Sequence, residues 1–136
     1  MAKQFTLGKN ERLKSRKLIE QLFKEGKTFT IFPFRVYYIT DSADLPMVNL
    51  KFGAGAGTKN FKKAVDRNRI KRITREAWRL QKKNLQEKLE EKKTRLNVFL
   101  IYTSKELPDF ETVHHKVHIV LDKLIKLVDE NNTQVS

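Results

Sequence analysis

From Lys59 to Lys83 the chain sets eleven basic residues against two acids, and inside that run Ile70, Ile73, Ala77 and Leu80 recur at helical spacing. At 3.6 residues per turn these four fall in one arc of roughly 80°. A helix written this way has one apolar side to bury and must keep its charged remainder outside. Arg67, Lys71, Arg75 and Arg79, spaced four apart, predict a slowly drifting outer ridge, with Asn68 and Arg72 in the same arc, Trp78 at its edge and Arg69 turned to another side. Like charges four apart cost the helix stability, and a polyanion would restore it. Guanidinium forks grip phosphate oxygens bidentately and an amide reaches a base or a sugar hydroxyl, so nucleic acid is the leading partner class. The run carries most of the net charge of +13, which is therefore localised and not spread as general solubilising charge.

The 136 residues fit one domain, large enough to bury about two thirds of the unfolded surface without staples. A single RNA-binding domain over 1–136 is expected, with a disordered tail at 130–136. The absence of cysteine excludes a disulfide framework, a thiolate zinc site and a thiol nucleophile. MAKQFTLGKNERLK lacks an apolar signal core and no apolar run is long enough to span a bilayer, so a cytoplasmic protein without a membrane partner is expected.

Leu18, Ile19, Leu22 and Phe23 predict an amphipathic helix over Glu11 to Glu25, closed by Gly26. Phe29 to Thr40 reads as one strand, Phe34, Val36 and Tyr38 alternating against Arg35, Tyr37 and Ile39, with Pro33 marking an edge or a break. After a turn at Asp41 to Pro46, Val48, Leu50 and Phe52 predict a second strand, antiparallel to the first as a hairpin. A glycine-rich Gly53 to Gly57 reads as a flexible turn. One long helix is expected from Phe61 to Lys92, its charged later half ending in solvent, then a strand at Leu96 to Tyr102. Asp109 is read as the N-cap of a last helix burying Val113, Val117, Val120, Leu121, Leu124 and Val128. The fold class is thus α/β (α+β), in the order α-β-β-α-β-α as a two-layer sandwich.

GAGAGTK fails the spacing of both a Walker loop and a dinucleotide fingerprint. His114 and His118 stand four apart, with His115 beside them and Asp122 one turn on, but no further ligand completes a metal site, and they read as surface histidines. No serine lies in a nucleophile elbow and no carboxylate pair is selected by spacing, so the protein alone is expected to be catalytically silent. Phe5, Phe29, Phe32, Phe34, Phe52, Phe61, Phe99 and Phe110 are assigned to packing; Tyr37 is better placed for a ligand.

The segment AVDRNRIKRITREAWR, Ala64 to Arg79, resembles the RNR signature of bacterial ribonuclease P protein subunits, and RLKSRKLIEQLFKEGKTF, Arg12 to Phe29, resembles the family's first helix and following turn. The resemblance covers nearly the whole chain. It implies an α/β sandwich with a left-handed βαβ crossover, against the ordinary handedness rule. It also implies a protein that binds the catalytic RNA of ribonuclease P and the 5′ leader of precursor tRNA. The RNA holds the magnesium ions; no cofactor is bound by the protein alone and no obligatory protein partner is expected.

Carried over by motif, Arg67, Asn68, Arg69, Lys71, Arg72, Arg75 and Arg79 are the expected RNA contacts. A cleft between the first helix and the sheet is expected to hold the leader through Phe23 and Tyr37, with Arg35, Lys59, Lys62 and Lys63 supplying charge. The chain departs from the pattern twice. Ile19 stands where many members carry a second aromatic, keeping bulk but losing stacking, and FGAGAGTKN replaces the family's usual strand ending, with Thr58 at the first basic position and Lys59 at the second. The competing readings are a general basic RNA-binding or ribosome-associated protein and a stand-alone protein nuclease.

Overall fold

A computed structural model describes residues 12, 13, 15–42 and 50–135, with side chains to Glu130. Helix α1 spans Arg16–Glu25, strand β1 Lys27–Ile31, β2 Phe34–Ser42, β3 Leu50–Ala56, α2 Ala64–Gln81, α3 Lys83–Glu91, β4 Thr94–Tyr102 and α4 Phe110–Val135. The strands form one sheet in the order β1-β2-β4-β3, with β3 and β4 parallel and the other pairs antiparallel. The mixed α+β class holds, with more elements than the expected order contains.

Three differences have local causes. The expected single strand is a hairpin of β1 and β2, closed at Phe32–Pro33, with Ile31 opposite Phe34. Proline supplies no N–H and fixes φ, so the ladder cannot run through it. The hairpin expected between the first two strands does not form: β4 inserts between β2 and β3, pairing Tyr37 with Phe99 on one side and Gly53 with Phe99 on the other. The expected long helix is divided at Lys82, itself buried, and the later half does not end in solvent, because Leu85 and Leu89 turn fully inward. Two leucines at this spacing bury about 3–6 kcal/mol of transfer free energy, enough to redirect a helix rich in charge.

Helix α1 begins later than the expected Glu11, because Ser15 caps it, its hydroxyl accepting from the Leu18 N–H at 3.4 Å. Other expectations hold: Gly26 closes α1 by donating to the Leu22 carbonyl at 2.9 Å. Asp109 caps α4, accepting from the Thr112 N–H at 3.2 Å. Hydrogen bonds from Thr112, side chain first and then backbone, hold the Asp109 carboxyl below its usual range. All six apolar residues assigned to the last helix are buried. The segment 43–49, with Val48 and most of the expected turn, lies outside the described residues, as do the side chains of the expected tail beyond Glu130.

The sheet has two unlike faces. Phe34, Val36, Phe52, Leu96, Val98, Leu100 and Tyr102 form a core with α2, α3 and α4. The alternate residues, Tyr37 and Phe99 among them, face α1, which covers them with Leu22 fully buried but Phe23 43 % exposed.

Candidate nucleic-acid interface

Helix α2 buries Ile70, Thr74, Ala77 and Trp78. At about 100° per residue the buried arc is rotated toward Trp78 and away from Leu80, which is 40 % exposed. Trp78 therefore does not edge the basic ridge as expected. It offers the larger apolar surface, and Phe52 stacks on it at 4.2 Å with ring planes 13° apart, so burying the indole outweighs burying the leucine. The rotation leaves Asn68, Arg69, Arg72 and Arg75 exposed, with Lys71 half-buried.

Two of the expected RNA contacts are already engaged. The Arg67 guanidinium donates through Nη1 to the carbonyls of Phe61 at 2.7 Å and Lys62 at 2.8 Å, tying the first turn of α2 to the loop before it. Arg79 is ion-paired with Glu76 one turn earlier. Arg67 thus holds Lys62 and Lys63, both exposed, at the start of the helix, where Lys63 caps without a side-chain bond. A carbonyl clamp of this kind leaves no trace in residue spacing.

Between α1 and the sheet, two rings expected in the cleft touch, and a third joins them. Phe23 and Tyr37 meet at 4.8 Å between centroids, and Phe99 joins edge-on to Phe23 at 5.4 Å. The sequence predicts Phe99 as a packing residue. Its ring lies over the strand Leu50–Ala56, so the segment expected as a flexible turn is mostly regular strand. A Cβ at Gly53 would stand 2.6 Å from that ring, and one at Gly55 would stand 3.0 Å away. Glycines are there for the space the ring needs. Arg35 points to the same face two residues before Tyr37 and is exposed. Ile19 reaches a cavity of about 270 Å³ at the outer edge of β3, lined also by Arg12, Leu13, Phe52, Gly53, Ala54, Arg75 and Phe99. Lys59, Lys62 and Lys63 do not line it. They lie at the end of the sheet where β3 finishes, beside Asn60, whose amide donates to the Thr103 carbonyl at 3.1 Å.

A larger groove of about 530 Å³ between β1 and α4 is on the opposite face of the sheet, away from these aromatics. His118 pairs with Asp122 at 3.3 Å, and among the described residues no group of three histidine or carboxylate side chains converges to hold a metal. No described helix is long and apolar enough to cross a membrane.

The profile of the family described as Ribonuclease P matches residues 7–125. The chain belongs to the ribonuclease P protein family. It is 40 % identical over 109 residues to the ribonuclease P protein component of Porphyromonas gingivalis, covering 80 % of this chain and 79 % of that one. With the corresponding protein of Dictyoglomus thermophilum it shares 27 % over 123 residues, 90 % of this chain and 89 % of that one. The RNase P protein from Thermotoga maritima superposes with a TM-score of 0.62 at 27 % identity, over 83 % of this chain and 96 % of that chain. The Staphylococcus aureus RNase P protein, with a TM-score of 0.61 at 19 % identity over 84 % and 94 %, shares the fold. For a ribonuclease P protein, the exposed arginines of α2 and the half-open aromatic face are the two surfaces to explain.

Proposed function

We propose that this chain is the protein subunit of the ribonuclease P ribonucleoprotein, an endoribonuclease, and acts in removal of the 5′ leader from precursor tRNA. The exposed arc of Asn68, Arg69, Arg72 and Arg75, flanked by Lys71, binds the catalytic RNA, and the Phe23–Tyr37–Phe99 face binds the single-stranded leader. The observation that carries the reading is the adjacency of these surfaces around one strand, β3: the basic helix packs on one of its sides and Phe99 lies over the other. Guanidinium groups suit a folded RNA's phosphates, whereas half-open rings suit a strand of varied sequence, because every base has a π-face. A general RNA-binding protein would need the first surface and not the second.

Arg67 acts mainly by holding the loop that presents Lys62 and Lys63, and Arg79 acts with Glu76 attached. Hydrolysis of the phosphodiester bond, and the magnesium ions it needs, are assigned in this reading to the RNA. Location in the cytoplasm follows from the same reading.

The test is leader release from a 5′-extended precursor tRNA at low magnesium, with protein and a bacterial catalytic RNA omitted in turn. The reading expects cleavage that requires the RNA and is strongly accelerated by the protein. Absence of acceleration with a cognate RNA would return the chain to general RNA binding, and cleavage by the protein alone would make it a nuclease in its own right.

A further inference from the structure

We infer that the groove between β1 and α4 takes an extended acidic segment of another protein. The segment adds to the free edge of the four-stranded sheet and sets one acid, between two apolar side chains, against α4. Strand β1 is at the opposite edge of the sheet from β3, so such a partner leaves the basic helix and the aromatic face uncovered.

The strand order β1-β2-β4-β3 leaves β1 with a neighbour on one side only among the described residues. Alternate residues of an edge strand turn their N–H and C=O groups outward, away from the sheet. Natural edges are closed by charges, prolines or bulges, or are kept short. After Lys27 this strand carries neither charge nor proline, and shortness alone guards it. Thr28 and Thr30 are exposed, while Phe29 and Ile31 are half-buried on the side of α4. A nucleic-acid strand has no amide ladder to offer such an edge, so the occupant is protein.

The groove sets what that segment carries. Ile31, Ile119 and Leu127 supply its apolar wall, and Asp122, Lys123 and Lys126 stand between the two helix residues. Ile119 and Leu127 are about 12 Å apart along the helix axis, and side chains i and i+4 of a strand are about 13 Å apart. Apolar residues four apart in an extended segment therefore match them, and residue i+2 faces the charges between. Asp122 is engaged with His118 at 3.3 Å, and Glu130 lies past Leu127, close enough to Tyr38 to raise its hydroxyl pKa after burial has done so. Lys123 holds its ammonium 5.0 Å from the centroid of the Phe29 ring, over β1. Lys126 is exposed, and neither lysine is ion-paired among the described residues. A carboxylate at the middle position meets two ammonium groups, and the net charge of +13 steers acidic segments toward the chain.

The probe is the acetylated, amidated peptide Thr-Val-Thr-Glu-Thr-Val-Thr, whose valines and glutamate share one face when extended. It is titrated against the free full-length protein and against the particle reconstituted with a catalytic RNA, and saturable binding to both is expected. Lysine in place of the peptide glutamate should weaken binding about tenfold, a comparison made on the unaltered protein. Lys123→Glu combined with Lys126→Glu, its fold checked by thermal melting, should weaken the glutamate peptide about tenfold and make the lysine peptide the better ligand. Methylating the peptide N–H groups at the threonines, or instead at the valines and glutamate, should abolish binding for one set and spare it for the other, because only one set faces β1. No saturable binding, or binding that the charge reversals leave unchanged, overturns the inference, and identical effects of the two methylated sets overturn strand addition. If sedimentation shows the free protein to be a dimer that the peptide splits, a second copy occupies the edge and the acidic partner falls.

Discussion

Two aromatic pairs sit on opposite faces of the same sheet, and the distance between their rings alone does not tell them apart. Phe52 and Trp78 stack at 4.2 Å, and Phe23 and Tyr37 meet at 4.8 Å. The first pair is sealed, with 2 % and 0 % exposure, under α2 and the rest of the core, while the second is covered by one short helix and leaves Phe23 43 % exposed. A sealed pair has spent its apolar surface on folding; an open pair keeps part of it for a ligand. What separates core from binding surface here is how much of the ring is left over.

That comparison orders the expected effects. Trp78→Ala opens a cavity beneath β3 and should cost about 3–5 kcal/mol of stability in denaturant unfolding; a loss near zero would mean the indole is not the keystone of that face. Phe23→Ala and Tyr37→Ala should each cost about 1–3 kcal/mol of leader affinity, read from binding of precursor tRNA to the reconstituted particle. Their unfolding midpoints should move far less than that of Trp78→Ala, and a comparable drop in stability would erase the distinction between the pairs.

Smaller effects separate the arginines of α2. Arg72→Gln should weaken binding to the catalytic RNA by about 1–3 kcal/mol and reduce the slope of log affinity against log salt by about one. Arg67→Gln should also speed amide hydrogen exchange at residues 59–63, since it removes the bonds to the Phe61 and Lys62 carbonyls, whereas Arg72→Gln should leave exchange there unchanged. Equal exchange in both variants would place Arg67 back among simple phosphate contacts.

The smallest change concerns the cap of α4. The Asp109 carboxyl has a folded pKa below its unfolded value, so its contribution is present above the unfolded value and is lost as pH falls through the folded one. Asp109→Ala should lower the melting midpoint slightly at neutral pH, and the gap from the unmodified protein should close in acid. A gap that persists at low pH would assign the effect to packing.

The parts legible in the sequence are those written in local spacing. The stripe of α4, the Gly26 end of α1, and the alternation that puts Val36 inside and Tyr37 outside all follow from periodicity and capping chemistry. What escaped is non-local. The insertion of β4 between β2 and β3 cannot be read from the strands themselves. Gly53 and Gly55 look like a flexible turn until Phe99, more than forty residues on, is laid across them. Spacing puts Leu80 in the apolar arc of α2 and Trp78 at the edge of a charged ridge, and the Phe52 ring that draws the indole inward is non-local. Spacing presents Arg67 only as one more RNA contact on the ridge, because its carbonyl partners in the preceding loop carry no side-chain signal.

The most direct test of the two-surface account compares Phe23→Ala with Arg72→Gln in one assay, measuring binding of the protein to the catalytic RNA and the precursor-over-mature preference of the assembled particle. The account predicts a crossed result: Phe23→Ala loses the preference and keeps RNA affinity, while Arg72→Gln loses RNA affinity and, once assembled at high protein concentration, keeps the preference. Both variants losing both properties together would contradict it.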